Sequence, residues 1–191
     1  QCCSIRGVQV VAGLNISNTV SEVSNIVFYA LGSTAAIIVG QKLGADKPQE
    51  AKQTAVKLLV LTAGVCTITG AILFTLAPLF PQIYNTTSEV KAYASSFIRI
   101  VAICTPMMAY MHVAHFVIRS GGKALVVLLL DSSFMWLVSV PIVFTLSKFT
   151  NLPIQTVYFC YMSVELLKCI AGTIILKSGV WINNIVKKEA A

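Results

Sequence analysis

The feature of this sequence that most restricts its fold is a series of long apolar stretches separated by short polar turns. One of these stretches, residues 58–80, contains no charged residue at all. A helix needs about 20 predominantly apolar residues to cross the hydrocarbon core of a bilayer. Charged residues make up 11% of the chain, whereas an ordinary soluble domain carries about a quarter. We therefore predict an all-α integral membrane protein that lies in the lipid bilayer.

The apolar pattern predicts five transmembrane helices followed by a short amphipathic tail. The helices are expected at 14–43, 54–80, 88–119, 124–147 and 153–178, with the tail at 180–191. In the first turn, Gly44 is expected as the C′ residue, just beyond the end of the helix, and Asp46 as the N-cap of the next helix. Trp181 in the tail is expected at the membrane interface. Because the chain begins with Gln and shows no signal peptide, we expect it to be part of a larger protein.

Basic residues predict the orientation of these helices, because lysine and arginine collect in cytoplasmic loops. Nine lie in the even-numbered turns and the tail, against three on the other side. The nine are Lys42, Lys47, Lys52, Lys57, Arg119, Lys123, Lys177, Lys187 and Lys188. We expect a multi-pass protein of the plasma membrane with its C-terminus in the cytoplasm. The net charge of +7 thus indicates topology, and since no basic run is interleaved with aromatics, no nucleic-acid partner is expected.

The first predicted helix carries a polar stripe along one face. Its members recur at helical spacing: Asn15, Asn18, Glu22, Asn25 and Tyr29. One interpretation is a cavity wall that binds a cation or a polar substrate. The other is hydrogen bonding between packed helices. The remaining apolar surface, including Val20, Val23, Ile26, Ile37 and Val39, is expected to face lipid.

Three further charged residues lie inside apolar stretches. Each costs about 2.5–3.5 kcal/mol at mid-membrane and therefore must face protein or water. Glu165 and Lys168 stand at i and i+3, which favours an internal ion pair, with a proton or substrate site as the alternative. Asp131 is expected either to pair with Arg119 or Lys123 or to belong to a cavity.

Two histidines, His112 and His115, share a face of the third helix with Arg119. They are candidates for a protonatable relay near neutral pH, and the alternative is that they pack through hydrogen bonds. No nucleophile lies beside a base, and no phosphate loop or metal cluster is found in the sequence. An enzyme is therefore disfavoured, and no cofactor is expected other than a coupling ion.

Several motifs resemble the MATE (multidrug and toxic compound extrusion) transporters. The stretch 36–45, Ala-Ile-Ile-Val-Gly-Gln-Lys-Leu-Gly-Ala, with 50–52, is similar to the turn after the second helix of a MATE lobe. The stretch 118–123, Ile-Arg-Ser-Gly-Gly-Lys, followed by Asp131, resembles the family's Arg-Gly-x-Gly-Asp region. The resemblance assigns Gly40, Gln41, Gly44, Arg119, Gly121 and Gly122 to these turns.

The resemblance implies twelve helices in two lobes, alternating access, and export of amphipathic, mostly cationic compounds driven by protons or sodium ions. The five helices here would form the C-terminal lobe without its first helix, and the N-terminal lobe would be the partner. Lys123 stands where the family motif often has an acid. The acid that the sodium-dependent branch carries on the third helix is also absent between Lys91 and Arg119. No cation site can therefore be transferred from the family to a residue of this chain.

Two other functions stay open from the sequence. One is a lipid-linked oligosaccharide flippase of the same superfamily, whose cavity should need several inward cations for pyrophosphate. Arg99 and Lys168 are the deep candidates for those cations. The other is a structural subunit of a membrane complex, which would copurify with a different partner.

Overall fold

A computed structural model of the chain describes residues 7–150 and 153–182, and nearly all of them are helical. The α-helices are α1 (Val8–Gly44), α2 (Pro48–Leu76), α3 (Ser88–Ser120), α4 (Ala124–Phe134), α5 (Val140–Phe149) and α6 (Ile154–Ser178). A 3₁₀ helix, Phe80–Ile83, follows α2, and a π-helical turn, Met135–Ser139, joins α4 to α5. Within the described ranges no residue is in a β-strand.

Among residues 7–150 and 153–182, five helical segments are long and apolar enough to cross a membrane. The fourth of them is the continuous rod Ala124–Leu146, formed by α4, the π turn and most of α5. The predicted all-α membrane fold is thus confirmed. Helices α1 and α2 begin at Val8 and Pro48, earlier than predicted, because hydrophobicity marks the apolar part of a helix and not its polar ends.

The turn between α1 and α2 differs from the prediction. Gly44 is the last helical residue, and the left-handed conformation falls on Asp46, whose φ is 59°. The residue that precedes α2 is Lys47, so the expected roles of Gly44 and Asp46 as caps were wrong. Glu50 stabilises this turn, because its carboxylate lies 2.8 Å from the Lys42 ammonium and 3.1 Å from that of Lys47.

Helix α3 is the centre of the bundle and packs against α1, α2 and α6. Small residues let the helices approach closely, as is usual in membrane bundles. A Cβ on Gly70 of α2 would lie 2.6 Å from the carbonyl oxygen of Ala102 on α3. A Cβ on Gly32 of α1 would lie 2.5 Å from the ring of Phe116. These glycines therefore set the spacing between α3 and its neighbours.

The outward surface of the bundle is apolar, which suits contact with lipid. Val23, Ile26 and Ile37 of α1 are more than half exposed, in agreement with their predicted lipid-facing positions. Val20 and Val39 were wrongly assigned to that surface, since both are buried in the protein interior. The reason is that α1 packs against two neighbouring helices, α2 and α3. Its buried surface is therefore wider than the single polar face that the sequence indicated.

Trp181 follows α6 and is buried, with 1% of its surface exposed. Its indole N–H donates a hydrogen bond to the carbonyl oxygen of Leu176 at 2.9 Å. Trp181 therefore packs inside the protein and not on an exposed amphipathic surface, and its position at the membrane interface stays a prediction. The rest of the predicted amphipathic tail, residues 183–191, lies outside the described residues.

Candidate functional site

A cavity of about 690 Å³ lies between the helices and is the candidate functional site. We refer to it as the main cavity. Its lining is largely apolar, with five methionines and three aromatic residues, but includes ionisable side chains from three helices. The methionines are Met107, Met108, Met111, Met135 and Met162, and the aromatic residues are Phe97, Tyr158 and Tyr161. The ionisable residues are His112, His115, Asp131, Glu165 and Lys168.

Lys168 is the centre of the charged part of this lining. Its ammonium lies 3.0 Å from a carboxylate oxygen of Asp131 on α4 and 3.1 Å from one of Glu165 on α6. The Lys168 side chain is only 18% exposed. The contact with Glu165 has the geometry of a charge-assisted hydrogen bond, which is stronger than a neutral one, whereas the contact with Asp131 is an ion pair without that geometry. The ion pair between Glu165 and Lys168 is therefore present, and Asp131 extends it to a second helix.

His115 belongs to α3 and contacts Asp131, so residues of α3, α4 and α6 meet at this point. Its Nδ1 atom lies 3.5 Å from the second carboxylate oxygen of Asp131. The Nε2 atom on the other side of the ring is buried and has no hydrogen-bond partner among the described residues. We call His115, Asp131, Glu165 and Lys168 the ionic cluster. With neutral histidine, two carboxylates and one ammonium leave it one net negative charge.

The sequence left the partner of Asp131 undecided, and the structure places it beside Lys168. Arg119, one of the two expected partners, is exposed, and Lys123 is the residue before α4. The contact with Lys168 joins residues far apart in the chain, so helical spacing could not reveal it. Spacing did reveal Glu165 and Lys168, since they are neighbours on one helix.

The polar stripe of α1 is only partly gathered into one site. Asn18, Glu22 and Asn25 line a second, smaller cavity of about 160 Å³, and Asn18 also lines the main cavity. Asn15 is exposed and lines neither of these two cavities. Tyr29 instead packs its ring edge-on against His112, with 5.4 Å between the ring centres. The stripe therefore adjoins the main cavity through Asn18.

The residues assigned to the family turns lie at the ends of helices. The carbonyl oxygen of Gln41 accepts a hydrogen bond from the Ala45 amide at 3.0 Å, and that of Arg119 accepts one from Gly122 at 2.9 Å. Gly122 has a φ of 80°, which favours glycine. A Cβ on Gly40 would make an ordinary contact with Ser120 at 3.9 Å.

The sequence interpretation missed Ser139, which lines the main cavity from the π turn. Its hydroxyl is buried and has no hydrogen-bond partner among the described residues. A π turn widens a helix and often occurs at a functional site. Pro141, two residues later in an apolar helix, was a signal of local irregularity but does not specify which side chain turns inward.

Comparison with known proteins adds one match. A family model described as MatE matches residues 2–145, about three quarters of the chain. The matched range contains Asp131 and His115, whereas Glu165 and Lys168 follow it. No curated protein matches the chain. Among the described residues, no group of three or more His, Cys, Asp or Glu side chains could hold a metal ion.

Proposed function

Because this chain belongs to the MatE family, whose members are membrane transporters, we propose that it forms part of a secondary active antiporter. The exported compounds are amphipathic and mostly cationic, and the exchanged ions are protons or sodium. The observation that best supports this proposal is the main cavity, which combines apolar walls with a net-negative ionic cluster. An N-terminal lobe is the partner that completes the transport path, and the plasma membrane is the expected location.

The apolar part of the cavity suits substrates of varied shape. Methionine side chains are unbranched and polarisable, so they adapt to different ligands better than stiffer residues do. The rings of Phe97 and Tyr158 meet edge to face with their centres 5.0 Å apart and offer flat apolar surface beside them. A compound with an aromatic body can therefore bind by burial and contact, without a fixed set of hydrogen bonds.

The charged part of the cavity suits a positive group. A cation near Asp131 and Glu165 gains electrostatic attraction that the low-dielectric surroundings strengthen. The same carboxylates can instead bind a proton or a sodium ion. If the coupling ion and the substrate exclude each other there, an inward ion gradient drives outward export. Asn18, Glu22 and Asn25 of the second cavity contribute further polar contacts on the route.

The flippase alternative has less support from the cavity lining. A pyrophosphate group needs several unpaired cations, but Lys168 is already paired with two carboxylates. Arg99 is exposed and lies 5.8 Å from the ring centre of Phe74, and it does not line the main cavity. A purely structural subunit would not need a cavity of this size with ionisable groups in its lining.

The proposal can be tested in inside-out vesicles from cells that express the intact transporter. We expect vesicles to accumulate ethidium when a proton or sodium gradient is imposed, and to lose this accumulation with Asp131→Asn. Glu50→Gln, which removes a carboxylate from the exposed turn between α1 and α2, is the matched control and should keep it. The proposal would be contradicted if wild-type vesicles accumulated the same amount of ethidium with and without the gradient. It would also be contradicted if they transported lipid-linked pyrophosphate instead of ethidium.

A further inference from the structure

The Lys168 ammonium occupies the place in the main cavity where a ligand cation would be most stable. It contacts one carboxylate on its own helix and one on α4, at 3.1 and 3.0 Å. A second positive charge cannot enter between Asp131 and Glu165 while the ammonium stays there, because the two cations would repel each other. Cation binding therefore requires Lys168 to move.

The two contacts of Lys168 are not equally easy to break. Glu165 lies at i,i+3 on the same helix, so that pair can persist through small changes of side-chain rotamer. Asp131 belongs to α4, and its contact with Lys168 bridges α4 and α6. When the ammonium withdraws toward Glu165, Asp131 becomes free for a ligand cation and the bridge between the helices opens.

Two residues that line the cavity each hold a buried polar atom without a hydrogen-bond partner in the described part of the chain. The Ser139 hydroxyl and His115 Nε2 are buried and have no hydrogen-bond partner among the described residues, and Ser139 is only 5% exposed. If the His115 proton lies on Nδ1, toward Asp131, then Nε2 is an acceptor. A buried acceptor without a partner is destabilising, so a rearrangement of the ionic cluster that brings a donor to either atom would gain stability.

From this geometry we propose that the Lys168 ammonium, which is tethered to α6 by its side chain, competes with the transported cation for the contact with Asp131. In this role, which we call the tethered competitor, Lys168 occupies the cation site and releases Asp131 when the cation binds. The proposal rests on the proposed function, since it concerns the same cavity. Its consequence is that Lys168 weakens cation binding yet is needed for release. After transport, the ammonium returns to Asp131 and displaces the substrate.

The test is a comparison of tetraphenylphosphonium binding to the purified intact transporter and to its Lys168→Met variant. Methionine keeps most of the length of the side chain and removes the charge. We expect the dissociation constant to fall by about tenfold in the variant, while vesicle transport slows because release is impaired. The ligand should also raise the thermal stability of the variant more than that of the wild type, since it replaces the missing ammonium.

Two further variants separate this role from general stabilisation. Lys177→Met makes the same change at an exposed position of α6 and should leave binding unchanged. Lys168→Arg retains the charge, and its planar guanidinium can contact both carboxylates at once. Tetraphenylphosphonium should therefore bind this variant more weakly than the wild type. If Lys168→Met fails to fold, the Lys168→Arg variant still tests whether the charge at residue 168 competes with the bound cation.

The outcomes distinguish the two proposals. If the wild type binds the cation and Lys168→Met binds it equally or more weakly, the tethered competitor is wrong while the transport proposal stands. If Lys168→Arg binds the cation more tightly, the tethered competitor is also wrong. If neither the wild type nor any Lys168 variant binds the cation, the proposed function itself fails.

Discussion

The carbonyl oxygen of Trp181 lies directly against the backbone of Gly121, so close that a side-chain carbon on residue 121 would overlap it. Gly121 has an ordinary φ of −84°, so glycine is needed there for space and not for conformation. The contact fastens the chain after α6 to the turn between α3 and α4. It therefore helps to hold α4 beside α6, where Asp131 lies 3.0 Å from the Lys168 ammonium.

We expect Gly121→Ala to lower the free energy of unfolding by about 1–3 kcal/mol, because an atom forced into a packed backbone contact shifts its neighbours. The measurement is unfolding of the purified protein in detergent, followed by helical circular dichroism. Gly44→Ala is the control, since a Cβ on that residue would meet no packing neighbour within 4 Å. Equal stability of both variants would contradict the importance of the contact with Trp181.

The packing of α2 on α3 provides a second matched pair of glycines. Gly70→Ala should destabilise the protein by about 1–3 kcal/mol, because its Cβ would lie 2.6 Å from the Ala102 carbonyl oxygen. Gly64→Ala on the same helix meets nothing within 4 Å and should be neutral or stabilising by up to about 1 kcal/mol. The same unfolding assay checks both, and a smaller loss at Gly70 than at Gly64 would refute the expectation.

The relative importance of the two cavities can be decided by transport assays. We expect Asp131→Asn to reduce ethidium accumulation by about tenfold or more, since a contact between a ligand and a charged group contributes about 1.5–3 kcal/mol and about 1.4 kcal/mol corresponds to a factor of ten. Glu22→Gln, in the smaller cavity, should have a weaker effect. Vesicles with equal amounts of each variant provide the measurement. Unchanged accumulation and proton coupling in Glu22→Gln would remove Glu22 from the mechanism.

Phe97 is fully buried beside Val10, Ile154 and Val157 and also lines the main cavity. Phe97→Ala should destabilise the protein by about 2 kcal/mol, less than in a soluble core, because lipid competes well for apolar side chains. Phe159→Ala, at a position that is 47% exposed, is the control and should have little effect on unfolding. Similar losses for both variants would show that Phe97 does not hold α1, α3 and α6 together.

The orientation of the chain in the membrane is a prediction from the basic residues. In a cysteine-free background, Lys47→Cys should react with an impermeant maleimide from the cytoplasmic side alone. Asn85→Cys, in the loop between α2 and α3, should react from the opposite side alone. Labelling of intact cells and of inside-out vesicles measures both, and the reverse pattern would place the C-terminus outside the cytoplasm.

The all-α membrane class, the spanning helices and the short turns could be predicted from the sequence, because apolar length and helical spacing are local properties. The sequence also placed Glu165 and Lys168 side by side, since both lie on one helix. Where a partner lies nearby in the chain, its contact can be read from spacing alone.

The packing of the helices was needed to show that Asp131 contacts Lys168 and His115, that Val20 and Val39 are buried, and that Trp181 packs against Gly121. It also divided the polar stripe of α1, leaving Asn15 exposed and turning Tyr29 toward His112. Each of these contacts joins helices that are distant in the chain. They depend on how the helices rotate and approach one another, and a periodic pattern within one helix does not determine that.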